Sequence, residues 1–325
     1  MQAWQVHENG EPGEVMRLAE VERPSPGDGK VLLRVRAANV NFPDALMCRG
    51  EYQVRPALPF TPGVEICAET EDGRRVIANP ELPHGGFAEY AVADARALLP
   101  APESLDDAEA AALHIGYQTG WFALHRRARL EAGETLLVHA AAGGVGSAAV
   151  QLGKAAGATV IGVAGGAAKA AVARELGCDV VVDRHTEDVV AAVKEATGGR
   201  GADVIYDPVG GDAYAQSAKL VAFEGRIVVI GFTSGTIPTP GLNHALVKNY
   251  SILGLHWGLY TTKNPKLVLH CHEQLTELAA RGAIKPLVSE RVPLEGAADA
   301  VQRVADGVTT GRVAVLPALK NGAVK

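Results

Sequence analysis

The sequence predicts an α/β chain in which a doubly wound parallel sheet is inserted between two parts of a β-rich domain. Three observations carry this expectation. Residues 1–115 hold short β-like runs, such as 30–37 (KVLLRVRA) and 89–92, broken by Pro and Gly clusters. Eight of the 18 prolines fall between Pro24 and Pro83, where long helices do not survive. From about Thr135 the texture changes to regular strand–helix alternation, which means a parallel sheet covered by helices on both faces. After Trp257 one long helical stretch is followed by strand-like pieces, so the chain returns to the β-rich part.

Within the alternating region, strands are expected at 135–139 (TLLVH), 159–163, 180–182, 204–206, 227–230 and 252–255. Helices are expected at 145–156, 169–176 and 265–281, and the closing strand-like pieces at 287–292 and 312–316. There is no internal repeat and no low-complexity linker. A cleft between the two parts would be the natural ligand site.

Composition narrows the function. A length of 325 residues suits two domains, and 47% hydrophobic with 21% charged residues excludes disorder and fibrous folds. A net charge of −6 leaves no basic excess for a phosphate backbone, so no nucleic-acid partner is expected. Charges interrupt every apolar stretch, so no membrane span is expected. The polar start (MQAWQVHENGEPG) lacks a basic and an apolar segment, so no secretory signal is expected either. Cys48, Cys67, Cys178 and Cys271 are too scattered for a disulfide scaffold or a paired-cysteine metal site. A cytoplasmic, reducing location follows as an expectation.

The most informative segment is LLVHAAAGGVGSAAVQLGKAAGA, residues 136–158. A β run enters Ala141-Ala142-Gly143-Gly144-Val145-Gly146 and a helix leaves it. Close approach of backbone to a pyrophosphate needs residues without bulk, and a helix N-terminus adds free N–H groups and partial positive charge. In the G-x-G-x-x-G template Ala141 takes the first position, so the strict motif fails. The strand before and the helix after make a βαβ unit that restores the reading. Ala142, Gly143, Gly144 and Val145 are therefore cofactor-binding candidates. An acid that would read a ribose 2′-hydroxyl is missing after the second strand, where Gly162-Val163-Ala164-Gly165-Gly166-Ala167-Ala168-Lys169 stands. Gly166, Lys169 and, beyond the third strand, Arg184 suit a 2′-phosphate, which favours NADPH. Lys169 as a solvated helix charge and Arg184 as a surface cation are the competing readings.

With these residues in hand, the chain resembles the zinc-free medium-chain dehydrogenases/reductases of the NADPH:quinone oxidoreductase family. The resemblance runs through NVNFPD (39–44), RGEY (49–52), LPFTPGVE (58–65), GGFAEY (85–90), HAAAGGVG (139–146), DPVGG (207–211), GLHWGLY (254–260) and TGR (310–312). It implies a GroES-like catalytic domain over 1–118 and 257–325, and a Rossmann domain binding NADPH over 119–256. It also implies a homodimer joined near residues 251–255. The positions that hold zinc ligands in metal-dependent relatives carry Asn41, Val64 and Ile115 here, and the structural-zinc run of cysteines is missing, so no metal is expected. His270-Cys271-His272 is a poor alternative, because neighbours at i and i+2 point apart on a helix.

The resemblance further assigns roles. Asn41 would meet the nicotinamide ribose or the substrate oxygen, and Tyr52 would orient or protonate the substrate; a turn residue and a packed loop aromatic are the plain alternatives. Thr119 and the loops holding Gly210, Gly231 and Phe232 would lie by the nicotinamide, with His256, Trp257 and Tyr260 at the cleft. Trp257 can equally be a packing residue. Arg312 would lie near the cofactor phosphate or form a surface ion pair. His139 reads as a packing residue. Leu46 replaces a family tyrosine and makes the pocket more apolar. A metal-free site suits hydride addition to a conjugated carbonyl, with hydrogen-bond donors for the developing enolate. A quinone is the first expected substrate. A 2-enoyl thioester or other enone, with Arg126, Arg127 and Arg129 as a basic cluster, is the second. A low-turnover NADPH-binding protein with nucleic-acid affinity is the third.

Overall fold

The computed structural model describes residues 1–319. They divide into two compact units, one of Met1–Ile115 with Lys285 onward and one of Gly116–Ile284.

The first unit is built on a seven-stranded sheet in which Lys30–Asn39 is the hub. It pairs antiparallel with Ile66–Glu69, Tyr90–Asp94 and Arg312–Leu316. Leu33, Val35 and Ala37 are buried while Arg34 and Arg36 face solvent, the period-two pattern of a half-buried strand. Val288–Pro293 lies outside Arg312–Leu316 in parallel, so both ends of the chain complete one sheet. The hairpin of Gln2–Val6 and Met16–Glu20 is tied in by Trp4, whose indole Nε1 donates to the Leu294 carbonyl at 2.7 Å. Leu33, Phe60, Phe87 and Met47 are among the core residues.

A helix over Phe42–Cys48 interrupts the expected β texture. Pro43 sits in its first turn, where a missing N–H costs nothing. Asp44 Oδ2 accepts from the Asn41 backbone N–H at 2.8 Å and fastens the helix start.

The second unit is a six-stranded parallel sheet. In chain order its strands are Thr135–Val138, Thr159–Ala164, Val180–Asp183, Ala202–Asp207, Val221–Val229 and Ser251–Gly254. In space they run third, second, first, fourth, fifth, sixth. This order reverses beside the first strand, which is where open α/β sheets bind ligands. Thr135–Val138 is buried along its whole length, as a central parallel strand requires.

The units meet at Ile115/Gly116 and Ile284/Lys285, whereas the sequence placed the borders at 118/119 and 256/257. The difference at the second border is the helix Pro265–Ala280. Its apolar face (Val268, Cys271, Leu275, Ala279) is buried, and Gln274 accepts from Trp121 Nε1 at 2.7 Å. Trp257 Nε1 donates to Gln118 Oε1 at 3.0 Å, and the Tyr260 ring packs 4.2 Å from that of Phe122. These contacts keep residues 257–284 with the parallel sheet.

Candidate functional site

In the second unit the candidate residues collect on loops that follow the carboxyl ends of the parallel strands. After the first strand, Ala140 adopts φ +50 and its carbonyl accepts from the Gly143 N–H at 2.8 Å. The helix Gly144–Ala155 then starts with Gly143 at its N-cap and no side chain capping it. Its first-turn N–H groups therefore face outward for an anion. A Cβ on Gly146 would lie 2.1 Å from the Ala140 carbonyl oxygen, so this position admits only glycine. Ala142 is buried, and Gly143, Gly144 and Val145 are half-buried at the helix start.

After the fourth strand, Asp207 is buried and its Oδ1 accepts from the Val209 and Gly210 N–H groups, each at 2.9 Å. This bends the chain so that Gly210, at φ +70, packs under Phe232; a Cβ there would be 2.9 Å from the Phe232 ring. Gly231 and Phe232 follow the fifth strand and are half-buried.

The turn after the second strand meets the end of the third. The Arg184 guanidinium lies across Gly165, where a Cβ would be 2.9 Å from Nη2. Lys169 stands on the next helix, Ala167–Glu175, close enough to Arg184 that burial and this second cation lower its ammonium pKa. Asp183 holds the turn through Oδ1, which accepts from the N–H groups of Gly166 (2.8 Å) and His185 (3.0 Å). Neither Asp183 nor His185 was singled out by the sequence. Thr119 is buried, Trp257 is held in packing by Gln118, and His256 is exposed. His139 is buried with Nε2 on Ser217 Oγ at 2.9 Å, which is a packing role.

In the first unit Asn41 is the centre of a buried polar cluster. Its Nδ2 donates to Glu65 Oε1 at 2.9 Å and to the Asn39 carbonyl at 3.2 Å. Its Oδ1 accepts from Arg312 Nη1 at 2.5 Å. Arg312 Nη1 is also 3.5 Å from Glu65 Oε1, and the Ile115 N–H donates to Glu65 Oε2 at 2.7 Å. Burial raises the Glu65 pKa, opposed by Arg312 and these donors. Arg312 is 6% exposed, and its Nε and Nη2 have no hydrogen-bond partner among the described residues. Its observed bonds form a buried ion pair, not the surface pair that the sequence offered as the alternative.

Asp44 is fully enclosed, its second oxygen accepting from the Gly63 N–H at 2.9 Å, and desolvation lifts its pKa to about 7. Tyr52 is half-buried against the core of this unit, and burial with the nearby Asp44 raises its phenol pKa. Tyr52 therefore stays protonated at neutral pH. Asp44 and Glu65 were visible only as parts of NVNFPD and PGVE; the N-x-x-D spacing of a helix start was the signal for Asp44.

A GroES-like β unit and a sheet of this strand order in one chain define the medium-chain dehydrogenase/reductase class. Residues 27–103 match the alcohol dehydrogenase GroES-like domain, and residues 144–271 match the zinc-binding dehydrogenase family. The quinone oxidoreductase-like protein 2 homolog of Nematostella vectensis is 38% identical over 300 residues, covering 89% of this chain and 82% of that protein. The quinone oxidoreductase of Thermus thermophilus, solved also in complex with NADPH, superposes with a TM-score of 0.85 at 33% identity, covering 97% of this chain and all of that one (100%). The phthioceranic/hydroxyphthioceranic acid synthase of Mycobacterium tuberculosis is 31% identical over 313 residues, covering 93% of this chain but 15% of the synthase. The chain belongs to the quinone oxidoreductase-like family of medium-chain dehydrogenases/reductases.

The matched family name includes zinc, and the residues do not fit it. Asn41 has its amide committed to Glu65, Asn39 and Arg312, while Val64 and Ile115 carry no donor atom on their side chains. Among the described residues no group of three or more His, Cys, Asp or Glu side chains could hold a metal ion.

The buried Asp44 yields a pH prediction. Its folded pKa, about 7, lies above the usual carboxyl value of about 3.9, so between those limits the native state keeps a proton that the unfolded chain has lost. This group's stabilisation is present below pH 4 and lost as pH rises to 7, at up to about 1.4 kcal/mol per pH unit. Asp44→Asn should flatten that part of the urea-midpoint profile. A variant profile as steep as the wild type's between pH 4 and 7 would contradict the assignment.

Proposed function

We propose that this protein is an NADPH-dependent reductase of conjugated carbonyls, with a quinone as its principal acceptor and no metal in its mechanism. The observation that carries the reading is the uncapped glycine turn at Gly143–Gly146, with Lys169 and Arg184 gathered at the neighbouring Gly165–Gly166 turn. The first suits a pyrophosphate and the second a 2′-phosphate. The NADPH complex of the Thermus thermophilus relative supports the cofactor, and the names of that protein and of the Nematostella vectensis relative support the acceptor.

When bound, NADPH supplies a hydride from its nicotinamide ring. Ala142 to Val145 hold the pyrophosphate, and Gly210, Gly231, Phe232 and Thr119 shape the wall for the nicotinamide. Both Nδ2 protons of Asn41 are spent on Glu65 and Asn39, so Asn41 offers only the remaining lone pair of Oδ1. It accordingly accepts from a hydroxyl such as that of the nicotinamide ribose, and does not donate to a developing oxyanion. Tyr52, held protonated, is the donor in this unit for the substrate oxygen. Reduction of a quinone to its hydroquinone takes one hydride and one proton; Tyr52 gives that proton to the oxygen that gains charge and recovers one from water.

A second reading, reduction of a 2-enoyl thioester, is supported by the likeness to the mycobacterial synthase. Parallel assays of NADPH oxidation with a quinone and with an enoyl-CoA, NADH serving as control, separate the two. The proposal expects faster turnover with the quinone; faster turnover of the thioester moves the protein to the second reading, and oxidation with neither refutes both.

A homodimer is part of the same proposal. Ser251–Gly254 is paired on one side only, at the end of the sheet. Beside it in sequence Leu242, Leu246 and Val247 are 75–77% exposed on the helix Leu242–Lys248, an apolar surface that a second copy of the chain would cover. Sedimentation equilibrium should give twice the 33.8 kDa chain mass, and Leu246→Glu should shift the balance toward monomer. A wild-type protein that sediments as a monomer removes this part of the proposal.

A further inference from the structure

A cavity of about 370 Å³ opens at the amino ends of two neighbouring parallel strands, Ala202–Asp207 and Val221–Val229, whereas the glycine turn follows a carboxyl end. The length of a six-residue strand, about 20 Å, separates the two places. Lys194, Arg200, Lys219 and Lys248 line the cavity together with Val221 and Phe223, and among the described residues no carboxylate lines it. Lys194, Lys219 and Lys248 stand in the last turns of the helices Val189–Ala196, Gly211–Leu220 and Leu242–Lys248, which converge here. Four cations thus surround one space in a chain whose net charge is −6.

The fold accounts for part of this charge. Arg200 is paired with Asp203. Lys248 Nζ donates to the Ala218 and Val221 carbonyls at 3.0 and 3.2 Å, which closes the end of the helix Gly211–Leu220. Burial and the neighbouring Lys194 lower the Lys248 ammonium pKa, so these two cations stand close enough to repel. Lys194 and Lys219 are exposed, and neither has a carboxylate within ion-pair distance among the described residues. A cation in its last turn favours each helix singly, but that does not require three of them around one space. An anion in the cavity would offset their repulsion. Phe223 is 69% exposed, and an aromatic ring beside cations suits a ligand that carries both a flat base and phosphates. The negative chain and the size of the cavity favour a small molecule over a polymer.

We infer that this cavity is a second ligand site of the chain, which binds a nucleoside polyphosphate with its phosphates on Lys194, Lys219 and Lys248 and its base stacked on Phe223. The site lies at the other edge of the sheet from the turn proposed for NADPH, so one chain holds both ligands at once. Val247 also lines the cavity and belongs to the face assigned above to a second copy, so the site borders that face.

The test is calorimetric titration with ATP and, separately, with inorganic pyrophosphate, in protein kept saturated with NADPH so that the glycine turn is filled. The wild type should bind one ATP per chain. The double variant Lys194→Gln/Lys219→Gln should bind ATP about ten- to hundredfold more weakly, the size expected for two exposed charge-assisted contacts, with its NADPH affinity unchanged as a control for folding. Phe223→Ala should weaken ATP about five- to tenfold and leave pyrophosphate as it was. Lys169→Ala, at the other edge of the sheet, should leave ATP binding unchanged. No ATP binding by the NADPH-saturated wild type, or equal binding by the double variant, overturns the site. Pyrophosphate binding as tight as that of ATP, with no effect of Phe223→Ala, means an adventitious anion only and overturns the nucleoside ligand. Tighter binding of a short single-stranded RNA than of ATP, lost in the double variant, overturns it in favour of nucleic acid.

Discussion

The arrangement of the first unit depends on one buried ion pair, Glu65 with Arg312, set on either side of Asn41. Glu65 is fully buried and Arg312 nearly so, and removing either partner would strand the other at a cost of about 3–5 kcal/mol. The pair also joins segments far apart in the chain, since Asn41 and Arg312 are 271 residues apart. A carboxylate can only accept and a guanidinium can only donate, so the amide between them has a single orientation. Both amide protons of Asn41 are thereby used within the protein, and its Oδ1 keeps one lone pair.

The second unit solves a different problem, how to bring backbone close to phosphate without losing strand–helix packing. Gly146 is demanded by the Ala140 carbonyl. Asp207 and Asp183 do matching work at two other strand ends, each spending one carboxylate oxygen on two backbone N–H groups to fix a turn. These turns are therefore fixed by the chain's own hydrogen bonds.

What could be read from the sequence divides along the range of the interactions. The glycine turn was legible because strand, turn and helix are consecutive, and bulk-free residues at that spacing have a local cause. Lys169 was legible for the same reason, three residues after Gly166. Glu65 and Arg312 were quoted within motifs, yet their pairing is a tertiary fact. The helix Phe42–Cys48 was hidden among prolines, although Pro43 lies in the one turn that tolerates it. The second border differs from that of the compact units because the buried face of Pro265–Ala280 and the Trp121–Gln274 bond keep that helix with the parallel sheet, which no local pattern reveals.

The most direct test of hydride delivery by a metal-free site is single-turnover oxidation of NADPH deuterated at C4, with a quinone, in protein dialysed against a chelator. The account predicts that deuterium on one face of the nicotinamide slows the reaction, and that the rate is the same before and after dialysis. No isotope effect from either face, or a rate that returns only when a divalent metal is added, would contradict it.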